Sequence, residues 1–209
     1  MKSIQLIKQV NNTELGKGGT HETYILIPQE LDVSDLFLEI GKEYTFIDKA
    51  SRKPYTIRLT SAREKRIVGM GPYYRDNNVM AGDQILLEKR IYKESEPDYF
   101  ISLNRAEGVV YFQKVKSFFE ALTAENVANL LGQTFNTANG KAVIIDYHGE
   151  IQKRKDSPIM TKVYNILIDN NNIQGDYQDR DMVGISVNGN EIKIIGAQPW
   201  KKYVVEVQE

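Results

Sequence analysis

The 209-residue chain contains no cysteine. That excludes disulfides, thiol nucleophiles and thiolate zinc sites, and it agrees with a reducing compartment, so a cytoplasmic location is expected. Histidine is almost as scarce, with only His21 and His148 present. One copy of the chain therefore cannot assemble a multi-histidine metal site or a Cys/His catalytic pair. No apolar run approaches the ~18 residues of a membrane span. The opening Met1-Lys2-Ser3-Ile4-Gln5 lacks the apolar h-region of a secretory leader, so neither secretion nor a membrane partner is expected. Net charge is equally uninformative, being -1 with 27 basic and 28 acidic residues. With 41% hydrophobic residues, this is the composition of an ordinary globular chain with enough sequence for one large domain or two small ones.

Short β-branched and aromatic segments separated by Gly, Asn, Asp and Lys-rich turns dominate, and predict a mainly β protein with a few short helices. Strands are expected at 4–10, 24–27, 43–47, 55–60, 66–70, 84–91, 99–103, 141–147, 162–168, 183–187, 191–195 and 203–207. Asn188-Gly189 is the clearest two-residue hairpin turn. Helices are expected over 29–37 behind Pro28, over 123–132 from Thr123 to Gly132, and over 73–79. A turn at 104–108 suggests a division into residues 1–108 and a β-rich region, 109–209, of unassigned role.

Charge is segregated locally. Between Arg52 and Arg75 the basic residues are Arg52, Lys53, Arg58, Arg63, Lys65, Arg66 and Arg75, against the single acid Glu64, a local charge of +6. Residues 106–209 carry 11 basic and 13 acidic residues and lack a comparable cluster. A basic stripe interleaved with Tyr55, Tyr73 and Tyr74 suits phosphate neutralisation and counterion release, and it equally suits a solvated strand face. Glu64 is unusual on a phosphate-binding surface. It fits there if it accepts a hydrogen bond from cytosine N4 while Lys65 or Arg66 reaches guanine; otherwise it is an ion-pair partner of a neighbouring base.

A second constellation is Gly16-Lys17-Gly18-Gly19-Thr20-His21-Glu22-Thr23, ahead of Tyr24-Ile25-Leu26-Ile27-Pro28. It matches neither a P-loop nor a dinucleotide fingerprint, since the Gly-Lys-Ser/Thr ending and the preceding strand are missing. A Gly-rich turn between strands is its plain account.

Four segments in order, Gly18-Gly19-Thr20-His21, Ile27-Pro28-Gln29-Glu30-Leu31, Glu64-Lys65-Arg66-Ile67 and Ala81-Gly82-Asp83-Gln84-Ile85-Leu86-Leu87, resemble the B3-type DNA-binding pseudobarrel. The nearest version is the N-terminal, effector-DNA-binding domain of EcoRII-type restriction endonucleases. The resemblance covers about residues 1–105 and implies a seven-stranded open barrel that holds double-stranded DNA by two arms in the major groove. It implies an N-arm over 17–23 and a C-arm over 63–75. The implied contacts are Lys17, Gly18, Gly19, His21 and Thr23 on the first arm, and Arg63, Glu64, Lys65, Arg66, Tyr73, Tyr74, Arg75 and Asn77 around the second, with Arg52, Lys53 and Arg58 in support. Thr20 is an extra residue before His21, and Ala62 stands where the pattern has arginine. The function implied is sequence-specific binding as the recognition part of a restriction endonuclease, with the nuclease domain or subunit outside this chain and no cofactor needed.

The C-terminal region offers weaker patterns. Glu191-Ile192-Lys193 with Asp146 or Asp169 has the form of a magnesium-dependent nuclease site, which makes a complete small nuclease using Mg2+ the alternative. Strand alternation explains the same residues more simply. The group Asp146, His148, Glu150 and Lys153 carries no firmer signal. The acidic run from Asp169 to Asp181 lacks the glycine and glutamate offsets of a calcium loop and reads as a polar connection. Trp200 reads as a core or rim aromatic. A protein-interaction β domain is the third reading.

Overall fold

The computed structural model describes residues 1–17, 21–123, 127–155 and 158–206. Its backbone contacts fall into two compact units, one of residues 1–105 with the last strand of the chain and the other of residues 106–199. The protein is mainly β, with two eight-stranded sheets, one a curled half-barrel, and very little helix.

The first unit contains β1 (Lys2–Gln9), β2 (Tyr24–Ile27), β3 (Glu43–Asp48), β4 (Pro54–Ser61), β5 (Lys65–Val68), β6 (Gln84–Ile91) and β7 (Asp98–Asn104), with the short helix α1 (Gly71–Asp76) between β5 and β6. The eighth strand, β16 (Trp200–Glu206), pairs antiparallel with β1. Of the 203–207 segment, read from the sequence as the end of the C-terminal region, residues 203–206 therefore form part of the first sheet, and Val207 lies outside the described residues. The sheet order is β16-β1-β6-β7-β3-β4-β5-β2, antiparallel throughout except between β3 and β7. Alternation drives the curl: in β4, Tyr55, Ile57 and Leu59 are buried while Thr56 and Arg58 are exposed. Ile4, Leu6, Ile25, Phe46, Ile57 and Ile67 form the concave core.

The segment 29–37 is not a helix. Its apolar positions behave as expected, since Val33, Leu36 and Phe37 are buried and Leu31 packs against the core. Its carbonyls, however, are taken by ammonium groups from elsewhere. Lys65 reaches Leu31 O at 3.0 Å, Lys202 reaches Asp32 O at 2.6 Å and Lys89 reaches Asp35 O at 2.8 Å. Asp32 caps Ser34 N at 2.9 Å, which favours a turn over a helical ladder.

The second unit contains β8 (Val110–Val115), β9 (Phe118–Ala121), β10 (Thr134–Asn136), β11 (Ala142–Gln152), β12 (Met160–Ile168), β13 (Asn171–Asn172), β14 (Met182–Asn188) and β15 (Glu191–Ala197). Its order is β11-β10-β15-β14-β8-β9-β12-β13, and β11 also pairs with β12, so seven strands form a closed ring. Phe112, Phe119, Val143, Ile145, Ile166 and Ile185 fill it. Within the helix expected over 123–132, Val127 is α-helical and Ala128–Leu130 follow as a 3-10 turn; residues 124–126 lie outside the described residues. Gly132 takes the positive φ expected of a terminator. The hairpin turn is displaced by one residue: Asn188 pairs with Glu191, so Gly189 and Asn190 form the turn, and Gly189 has φ 61°.

Candidate nucleic-acid interface

The N-arm precedes β2 and the C-arm turn, residues 62–64, precedes β5. These strands pair antiparallel, with Tyr24 opposite Val68 and Ile27 opposite Lys65. The two loops therefore leave opposite ends of one strand pair. Four residues at about 3.3 Å each put roughly 13 Å of strand between them, comparable with the ~12 Å width of a DNA major groove.

The strand carrying the C-arm stops at Val68 because Gly69 has φ 91° and a side chain there would overlap the Thr56 carbonyl oxygen. The chain then turns into α1. Gly71 lies against Thr23, with room for no Cβ between them, and the Arg75 guanidinium passes beside the same glycine. The segment 63–75 is therefore not a single arm. Arg63 and Glu64 belong to the β4–β5 turn, whereas Arg75 sits on α1 near the root of the N-arm.

Arg66 occupies the strand between the two loops and binds to both. Its guanidinium donates to Glu64 Oε2 at 3.0 and 2.7 Å and to Glu22 Oε2 at 2.9 Å, and it lies 4.2 Å from the Tyr24 ring centroid. Bonding to Glu64 strengthens its hold on the proton. Glu64 is thus an ion-pair partner, of Arg66 rather than of Arg63 or Lys65. Glu22 was missed in the sequence reading, although its place next to His21 put it in the arm.

The remaining expected contacts separate by environment. Lys17, His21, Arg52, Arg63 and Arg75 are exposed, and their side chains have no hydrogen-bond or ion-pair partner among the described residues. Lys53 is exposed and paired with Asp76, whose carboxyl is held below the usual range by Lys53 and then by the Tyr55 hydroxyl at 2.9 Å. Arg58 stands 3.9 Å from Glu43 on the outer face. Lys65 is half-buried against the 29–31 turn. Gly18 and Gly19 lie outside the described residues.

Two expected contacts, Tyr73 and Tyr74, are buried, and a third, Asn77, is partly buried. Tyr73 is 0% exposed, and burial pushes its hydroxyl far above the ordinary range. Tyr74 is buried too, and its hydroxyl donates to Tyr24 O at 3.2 Å. Asn77 donates its amide to Tyr73 O at 3.1 Å, completing the helix end. All three support α1, and the two tyrosines are buried away from solvent. The phenol groups of Tyr73 and Tyr74 read as surface chemistry in a basic stripe, while helical spacing turns them inward.

β2 lies at the sheet edge, yet its outer side is covered. Glu14 accepts from Leu26 N at 2.9 Å, and Trp200 Nε1 donates to Leu26 O at 2.7 Å. Glu14 is held by the buried Lys8 at 2.9 Å, and Lys8 sits 4.8 Å from the Trp200 ring centroid. The seam between the two edge strands, β2 and β16, is therefore bridged by side chains, and this fixes the root of the N-arm.

In the second unit, Glu191 and Lys193 are exposed on β15 on either side of buried Ile192, as alternation requires. Among the described residues no three His, Asp or Glu side chains converge to hold a metal ion. Among them, too, no helix is long and apolar enough to cross a membrane.

No family model matches the chain. No curated protein matches it either. Among solved structures it is similar to an Arabidopsis FUS3–DNA complex, at 14% identity and TM-score 0.37, over 48% of this chain and 96% of that one. It is also similar to the N-terminal domain of Helicobacter pylori LlaJI.R1, at 14% identity and TM-score 0.35, over 51% of this chain and 83% of that one.

Proposed function

We propose that the first unit is a sequence-specific double-stranded DNA-binding module that enters the major groove with the loop at 17–23 and the turn at 62–64. The observation that carries this reading is the placement of the two loops at opposite ends of the β2–β5 pair, each with unpaired cations. Lys17 and Arg75 serve one end and Arg63 the other, as phosphate contacts that set register and orientation. Arg66 is the base-reading residue. Its guanidinium is already oriented by one oxygen each of Glu64 and Glu22, and a guanine O6/N7 edge offers two acceptors that such a planar fork can take. His21, exposed with φ 55°, adds a donor from the opposite loop.

On the sequence resemblance to the EcoRII-type recognition domain, the module serves a restriction endonuclease whose nuclease is a domain or subunit outside this chain. Binding rather than turnover is then its activity, and it needs no cofactor.

Fluorescence anisotropy with a labelled duplex tests the reading. Arg63→Ala and Lys17→Ala should weaken binding to every sequence alike and lower the salt slope by about one each. Unchanged affinity and slope in both variants would remove the arm assignment.

A further inference from the structure

The β11–β12 hairpin extends beyond the ring that it helps to close. β10 pairs with β11 only over Ala142–Ile144, and among the described residues the ladder between β9 and β12 is confined to Phe119 and Tyr164. From Gly149 to Gln152, and from Met160 to Val163, the two strands pair only with each other among the described residues. The ladder shifts register between Tyr147 and Gly149, where Gly149 has φ 147°. Such a bulge bends and twists the ribbon that follows it.

This ribbon ends in Lys153-Arg154-Lys155. Lys153 is tied to Glu120 at 2.6 Å, and Lys116, from the neighbouring β8–β9 turn, donates to Gln152 O at 3.0 Å. Lys162 lies across the ladder from Glu150. Arg154, Lys155 and Lys162 are exposed and their charged groups have no partner among the described residues. Four cations thus gather on a two-stranded ribbon, a shape that a duplex groove admits, with Lys116 of the β8–β9 turn beside them.

We propose that this ribbon is a second nucleic-acid contact, taking duplex DNA by its phosphates through Arg154, Lys155 and Lys162. It goes beyond the reading of the first unit and rests on that reading only for the class of partner. The contact is electrostatic: Lys153 and Lys116 are already committed to holding the tip, and the three free cations face solvent. Ribbon binding therefore adds affinity and salt dependence without adding sequence preference.

The test is anisotropy with a labelled random-sequence duplex at several salt concentrations. It uses the full chain, a ribbon variant (Arg154→Gln, Lys155→Gln, Lys162→Gln) and an arm variant (Lys17→Gln, Arg63→Gln, Arg75→Gln). Each lost phosphate contact removes about 0.9 from the slope of log K against log salt, so the ribbon variant should lose two to three, roughly. A ribbon variant with the parent's slope overturns the ribbon contact and leaves the arms standing. An arm variant that binds like the parent, beside a weakened ribbon variant, overturns the arms and leaves the ribbon. A parent chain that binds no duplex overturns both.

Discussion

The indole of Trp200 donates to the carbonyl of Leu26 at 2.7 Å, joining residues 174 positions apart in the chain. Leu26 belongs to one edge strand of the first sheet and Trp200 to the other. Together with Glu14 on Leu26 N, this bond satisfies both outward backbone groups of that residue. An exposed edge is a template for unwanted pairing, and side chains here cover it without closing the hydrogen-bonded ladder. The edge they cover is the strand from which the N-arm emerges.

Replacing Trp200 by Phe keeps an aromatic ring near Lys8 and removes only the donor. The Leu26 carbonyl then loses its partner, and the chain should be destabilised by about 1–2 kcal/mol in denaturant unfolding followed by circular dichroism. Stability equal to the parent's would show that water replaces the indole and that the seam does not depend on it.

Lys8 and Glu14 form an ion pair with both side chains 2% exposed. Removing one charge strands the other, so Lys8→Met alone should cost about 3–5 kcal/mol. Adding Glu14→Gln removes the stranded carboxylate while preserving an acceptor for Leu26 N, and should recover most of that loss. A double variant no more stable than the single one would contradict a charge-based account and point to packing.

Glu88 gives a pH signature. Burial acts to raise its pKa, but bonds from Arg90, Lys49 and Ser3 outweigh it and bring the carboxyl to about 2 from 4.5. A depressed folded-state pKa supplies stability above the unfolded-state value, and that stability is lost as pH falls towards the folded-state one. Between pH 4.5 and 2 the parent should therefore lose stability more steeply than Glu88→Gln. Parallel acid-unfolding curves would show that Glu88 is not the group responsible.

The two carboxylates on Arg66 oppose phosphate. With Glu22→Gln and Glu64→Gln together, Arg66 becomes a free cation between the arms. Affinity for arbitrary duplex should rise and the salt slope should steepen by about one. Arg66→Ala should instead weaken the preferred site by about 1–3 kcal/mol and leave arbitrary duplex nearly unchanged. Equal loss on both would make Arg66 a phosphate contact.

Much of the architecture was legible. Tyr24–Ile27 and Gln84–Ile91 are strands over the bounds that alternation indicates. Val110–Val115 was missed because it buries Gln113 and Lys114, residue types that read as surface. Lys114 is buried because its ammonium is surrounded by carbonyls, including Tyr177 O at 3.1 Å, from a distant segment that local pattern does not reveal. The 29–37 turn was misread for the same reason: its apolar spacing is helical, while Lys65, Lys89 and Lys202 compete for its carbonyls. In the site, the basic stripe was visible as charge. Its division into free cations, paired cations and core tyrosines depends on which sheet face each residue occupies, and on Glu22, 44 positions away from Arg66.

The central claim is most directly tested by selecting bound duplexes from a random-sequence pool and sequencing them, with the parent chain and with Arg66→Ala. The account predicts that a short motif is enriched by the parent and that one or two of its positions lose their preference in the variant. Salt-sensitive binding with no enriched motif, or the same motif with and without Arg66, would contradict it.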